Sequence, residues 1–280
     1  MLRYVAALLG TALIACQPGD APAGGEGGDT VPTRIVSLSP ALTELVFALG
    51  AGDRLVGRTR WGNAPPEALE VPSVGDGLNP NVEAIVARRP DLVVFYAAAS
   101  NQSAVERLRA LDISTLSIRL DRLDDLARAA RRLGDVLGIR ARADSLVARL
   151  DGELAGVRAE GTSGPSVLVL AWENPPIVIG ARSFLSEIVE LAGARNAFGD
   201  LERPSAKVGL ETIAARNPDV VLVVGGSEVP ALADRGEWQA IEAVRERRFV
   251  AVDGTEFAWP SFRAPQAVMR LRGALERLAQ

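Results

Sequence analysis

The chain has 280 residues, with 31 Lys or Arg against 35 Asp or Glu, no histidine and one cysteine. It lacks the basic excess that a nucleic-acid surface needs. The absence of histidine excludes imidazole metal sites and every histidine-based catalytic triad, and Cys16 alone makes neither an internal disulfide nor a thiolate metal site.

Arg3 opens the chain with a positive charge. Residues 4–15 form an apolar run, too short for a membrane span of ~20 residues and suited to the core of a secretory signal. The run ends in Leu13, Ile14, Ala15 and Cys16, which resembles the bacterial lipobox, where the cysteine is lipidated and becomes the new N-terminus. The alternative is a plain signal peptide. Lipidation is preferred because the only cysteine stands at the required place. Residues 1–16 are therefore expected to be a lipoprotein signal peptide. Residues 17–33, rich in Gly, Pro, Ala and acid, are expected to be a flexible tether. The folded part should start at residue 34, extracytoplasmic and held to a membrane by its lipid anchor, several acyl chains holding where one does not.

From there strands and helices alternate. Apolar runs predict strands at 34–38, 54–58, 91–95, 113–118, 166–170, 219–224 and 248–252. Ser39 and Pro40 read as N-cap and first helical residue of a helix reaching 49, stopped by Gly50. Pro65, Pro66 and the turn at Gly75, Asp76 and Gly77 mark a long irregular connection. Further helices are predicted from Asn79 and Pro80 through Glu83, and at 101–110, 123–137, 183–191, 209–215, 238–244 and 265–278. A longer one is predicted at 140–160, where Ala143, Leu146, Val147, Leu150, Leu154 and Val157 recur at spacings of three and four. It would be roughly 30 Å long. Continuous Val, Leu and Ile runs indicate parallel strands covered on both faces, in an α/β protein.

The long helix divides two copies of one pattern. Glu83, Ile85, Ala87, Arg88, Pro90, Asp91 and Val93 are matched by Glu211, Ile213, Ala215, Arg216, Pro218, Asp219 and Val221. Two similar lobes are expected, at 34–138 and 162–280, bridged by a helix at 139–161. Trp61, Tyr96, Trp172 and Trp259 each fall at or just past the carboxyl end of a predicted strand, where open parallel sheets bind ligands. Facing lobes would line one cleft with them, suiting a large, flat, partly hydrophobic ligand. The alternative is that each ring caps its own core. Arg58, Arg60 and Arg263 lie in the same loops and could meet phosphate, carboxylate or amide groups of a ligand, the alternative for each being a solvated surface arginine. Glu83 and Glu211 are placed where a helix dipole favours a carboxylate by ~0.3–1 kcal/mol. Their matched positions also suit docking on a symmetric partner.

From Arg34 onward the chain resembles the periplasmic cobalamin-binding proteins of ABC importers, in the group that also binds iron-siderophores and haem. The residues are Ser37, Leu38, Ser39 and Pro40, then Thr43, Glu44, Phe47 and Gly50; Pro65 and Pro66; Pro90, Asp91, Leu92 and Val93; and Asn174, Pro175, Pro176 and Gly180. The resemblance implies two Rossmann-like lobes with mainly parallel sheets, bridged by one long backbone helix, with little hinge motion. It places Trp61 and Tyr96 where aromatic rings stack on the ligand, and Glu83 and Glu211 where the family docks on permease arginines. The expected function is a substrate-binding lipoprotein that captures cobalamin or a related corrinoid and passes it to an ABC permease dimer with its ATPase. Trp61, Tyr96, Trp172, Trp259 and Arg263 would line the site. No cofactor, resident metal or nucleic-acid partner is expected, the ligand being itself a metal chelate. The alternatives are a ferric siderophore or haem in the same fold, or a secreted α/β enzyme. No Gly-x-Ser-x-Gly elbow occurs, and the glycines at 50 and 52 lack the third of a dinucleotide fingerprint.

Overall fold

The computed structural model describes residues 30–77, 79–161, 163–225 and 229–279. Cys16, the signal segment and residues 17–29 of the tether lie outside them. Among the described residues no helix is long and apolar enough to cross a membrane.

The first lobe runs β1 (Ile35–Ser37), α1 (Pro40–Ala48), β2 (Leu55–Arg58), α2 (Val82–Ala87), β3 (Leu92–Tyr96), α3 (Gln102–Arg109), β4 (Ser114–Ile118) and α4 (Leu123–Val136). Its strands form one parallel sheet in the order β2-β1-β3-β4. Helix α5 (Arg140–Val157) leads to β5 (Ser166–Glu173), β6 (Pro176–Ile179), α6 (Phe184–Leu191), β7 (Arg195–Asn196), β8 (Ser205–Lys207), α7 (Leu210–Arg216), β9 (Val220–Val224), α8 (Glu242–Arg245), β10 (Phe249–Val252), α9 (Thr255–Ala258) and α10 (Ala264–Leu278). The second sheet has the order β10-β9-β5-β6-β8, with β7 beside β5. β10, β9 and β5 are parallel, whereas β6 and β8 join antiparallel.

The repeated Pro-Asp corner has one structural job in both lobes. Arg89 (φ 49°) and Asn217 (φ 41°) take the left-handed conformation just before the proline. Each aspartate then ties down the start of its neighbouring strand. Asp91 accepts from the amides of Thr33 (2.8 Å) and Arg34 (2.9 Å), and Asp219 accepts from the amide of Ser166 (2.7 Å).

Several boundaries differ from the sequence reading. The helix carrying Glu83 starts at Val82, because Asn81 caps it by accepting from Ala84 N, while Pro80 bridges back to Gly75. The long helix stops at Val157: Arg158 is extended, and Ala159 N donates to Leu191 O of the second lobe. Its 18 residues span about 27 Å. The helix expected at 238–244 is instead a 3-10 turn, Gly236–Ala240, followed by α8, because the buried Ile241 is extended. The strand ending at 170 continues to Glu173 and returns through Asn174 and Pro175 as β6.

Helix α5 is more than a spacer. Its buried Ala143, Leu146, Val147 and Leu150 belong to a single hydrophobic cluster that extends from β1 and β3 through α1, α4, α6 and α10 to β5 and β9. Gly134 lets α4 press on α5, since a Cβ there would lie 2.6 Å from Ala143 Cβ. Two smaller clusters pack the outer face of each sheet. A core shared by both lobes should unfold as one unit. Leu133→Ala, at a fully buried position of α4, is expected to destabilise by about 2–5 kcal/mol. Chemical denaturation followed by tryptophan fluorescence and by circular dichroism should give coincident single transitions; two separate transitions would show independent cores.

Candidate functional site

Strand alternation decides where Tyr96 points. Leu92 and Val94 face the shared core and Val93 and Phe95 the outer cluster, so Tyr96, the last residue of β3, looks toward the second lobe. There it borders a cavity of about 330 Å³ built from both lobes. Ser39, Pro40 and Asp121 contribute from one side, and Phe184, Pro204 and Trp259 from the other. Gly180, at the end of β6, brings the segment holding Pro204 into place, because a Cβ there would lie 2.3 Å from Arg203 O. Cavities of about 660 Å³ and 730 Å³ also exist. The first lies at the opposite, N-terminal edge of β5 and β9, within the second lobe and the end of α5. The second lies in the seam beside Glu44. Of these three, the 330 Å³ cavity is the one at the carboxyl ends of both sheets, the usual ligand position in such folds.

Polar contacts on both sides hold the cavity at a set width. On one side Glu44 of α1, largely buried, accepts four hydrogen bonds from the second lobe. Trp259 Nε1 (2.8 Å) and Arg263 Nη2 (3.3 Å) donate to Oε2, and Ser261 Oγ (2.5 Å) and Arg263 Nε (3.1 Å) to Oε1. On the other side Glu187 of α6 accepts from Arg122 Nη2 (2.6 Å) and Leu123 N (2.7 Å), and Phe184 N donates to Asp121 O (2.8 Å). The same Asp121 accepts from the Tyr96 hydroxyl at 2.5 Å.

The sequence candidates divide accordingly. Tyr96 and Trp259 line the same cavity. Trp61 and Trp172 stand in the open, 57% and 61% exposed, past the ends of β2 and near the end of β5, and do not line its floor. Arg263 is engaged by Glu44, Thr255 and Glu256. Arg58 is buried and donates to Ala68 O (2.7 Å) and Thr59 O (3.0 Å), so it holds the turn at Pro66–Glu70 rather than facing a ligand; this corrects its reading as a ligand contact. Arg60 is exposed in the same loop. Glu83 and Glu211 are exposed in the first turns of α2 and α7. Glu44 and Asp121 were not anticipated as bridging residues. Nothing local marks them, because the Tyr96 hydroxyl lies 25 positions from Asp121, the Phe184 amide farther still, and the donors to Glu44 215 or more positions away. Among the described residues, no group of three or more His, Cys, Asp or Glu is placed to hold a metal ion.

Two α/β lobes joined by one helix around a shared, aromatic-lined cleft define a ligand-binding protein. The chain belongs to the periplasmic binding protein family, whose pattern it matches over residues 35–255. It is 29% identical over 218 residues to the vitamin B12-binding protein of Pectobacterium carotovorum, covering 76% of this chain and 79% of that one. It is 31% identical over 194 residues to the vitamin B12-binding protein of Salmonella typhimurium, covering 69% and 72%. Among solved structures, the periplasmic heme-binding protein RhuT of Roseiflexus superposes with a TM-score of 0.76 at 29% identity, over 88% of this chain and 99% of that one. The protein is thus an extracytoplasmic substrate-binding component of an ABC transporter and not an enzyme.

The Tyr96 phenol is pushed up to about 12, first by burial and then by the Asp121 carboxylate that accepts its hydrogen bond. Its folded pKa lies above the unfolded value, so its contribution to stability is complete below pH 10 and is lost as the pH rises through about 12. In a chain starting at Thr30, Tyr96 is the only tyrosine. Its phenolate absorbance should appear near pH 12, and Asp121→Asn should bring it part of the way back, burial supplying the remainder. Titration near 10 in the parent chain would contradict the Tyr96–Asp121 bond.

Proposed function

We propose that this chain captures cobalamin or a related corrinoid between its lobes and delivers it to an ABC permease dimer, tethered to a membrane through lipidated Cys16. The observation that carries the ligand reading is the chemistry of the cleft. It offers broad aromatic and apolar faces at Tyr96, Phe184 and Trp259, with Trp61 and Trp172 exposed on the same edge of the sheets. A cavity of about 330 Å³ takes only part of a large ring system, and the exposed indoles offer stacking surface for the remainder.

Haem is the main rival, because the heme-binding relative from Roseiflexus is as similar in sequence as the Pectobacterium one. Haem retained through its iron needs an axial ligand, commonly His, Cys, Met or Tyr. With no histidine in the chain, Tyr96 is, among the described residues, the one such side chain that lines the cavity. Its hydroxyl donates to a carboxylate, which opposes the phenolate that iron prefers. A cobalamin brings the axial positions of its cobalt filled by its own ligands, so it needs no axial side chain and asks only for faces and polar edges. A ferric siderophore brings its own chelation in the same way and remains the second alternative.

Calorimetric titration with cyanocobalamin, haem and several ferric siderophores tests the reading, and tight binding of cyanocobalamin alone is expected. Trp61→Ala combined with Trp172→Ala should weaken corrinoid binding by about tenfold, from the loss of two ring contacts; unchanged affinity removes both from the site. For transport, Glu83→Lys with Glu211→Lys should abolish delivery to the permease in reconstituted vesicles while leaving ligand affinity intact. Normal uptake by that double variant would reject the docking role.

A further inference from the structure

We infer that Lys207 reads an anionic substituent of the ring ligand, as a specificity-determining residue of the cleft. This rests on the proposal that Trp172 stacks on that ligand.

The argument begins with a β-bulge. Leu170 of β5 pairs with Val178 of β6, but the next pair is Trp172 with Ile177, leaving Ala171 as an extra residue. Residues directly opposed across an antiparallel pair share a face, and a bulge re-aims the side chains beyond it. Without the bulge Trp172 would share the face of Leu170 and Val178, which packs outward against α7 and α8. With it, Trp172 shares the face of Ile177 and Ile179, the latter packed in the core between the lobes. The next strand continues the row: Ile177 pairs with Lys207, and Ile179 with Ser205. Trp172, Ile177 and Lys207 therefore form one line across three strands on the side turned to the first lobe, with about 10 Å between the outer two backbones. Strand β8 starts directly after Pro204, which lines the cavity, and runs toward the cleft mouth at the level of Trp172.

Charge singles out the same residue. Lys207 is the only lysine in the chain. It is exposed, and among the described residues no carboxylate pairs with it. Four arginines around the cleft are engaged: Arg263 with Glu44, Arg122 with Glu187, Arg182 with Glu202, and Arg58 with main-chain carbonyls. Arg60 and Arg203 are exposed cations as well, but Arg60 belongs to the first lobe and Arg203 precedes β8, so neither stands on the Trp172–Ile177 row. An ammonium on a flexible stem at the end of an indole–isoleucine row suits a flat ligand with a phosphodiester or carboxylate at its edge.

The test uses the full-length chain, Lys207→Ala and Lys207→Arg, titrated with cyanocobalamin and with dicyanocobinamide, which has the corrin ring without the phosphodiester. Lys207→Ala should weaken cyanocobalamin binding by about tenfold and leave cobinamide unchanged. Lys207→Arg should restore most of the affinity, and the salt dependence of cyanocobalamin binding should flatten only in the alanine variant. Equal losses for both ligands, or no loss for either, overturn the assignment. If the parent chain ignores both corrinoids but binds haem, the same comparison is made between haem and its dimethyl ester. A loss confined to haem then supports Lys207 while overturning the corrinoid reading. A parent chain that binds none of the four overturns both.

Discussion

The carboxylate of Glu44 sets much of this architecture. It belongs to a helix of the first lobe, yet the groups that satisfy it, an indole, a hydroxyl and a guanidinium, all come from the second. A largely buried carboxylate left without donors is costly, so separating the lobes on this side means breaking four hydrogen bonds and exposing an ion pair together. The Glu187 contacts with Arg122 and Leu123 impose the same condition across the cavity. The cleft lies between these two constraints, and its width follows from them.

A shared core reinforces that arrangement. The packing of α5 against α4 and α10 joins the inner faces of both sheets into one apolar cluster. A ligand that enters such a cleft meets walls already in place, and the ordering cost of binding falls on the ligand and a few exposed side chains. Trp61, Trp172 and Lys207 are the exposed side chains proposed for that role. Trp259 is different: its ring borders the cavity while its N–H is committed to Glu44, so it contributes a face rather than a donor.

The two copies of the Pro-Asp corner show how a repeat is used. Asp91 and Asp219 hold equivalent strand starts, and the helices before them present Glu83 and Glu211 outward at equivalent places. The second sheet then departs from the first. The hairpin through Asn174 and Pro175 adds two antiparallel strands that the first lobe lacks, and they carry the row from Trp172 to Lys207.

Local pattern alone was enough to establish the α/β alternation, the duplicated corner, the three- and four-residue spacing of α5, the helix start at Ser39 and Pro40, and the placement of aromatics near strand ends. Each of these depends on residues within a few positions of one another, where propensity, capping and side-chain period act directly. Tertiary structure decided the rest. The break at Ile241, the bulge at Ala171 and the strand at Ser205–Lys207 follow from which neighbour offers a core or an edge. That Arg58 and Arg263 are engaged by the fold, and that Asp121 holds the Tyr96 hydroxyl, depends on partners that the local sequence does not contain. A hydrogen bond between residues 44 and 263 leaves no period or motif in either segment, because the geometry that joins them exists only once both lobes have packed on α5.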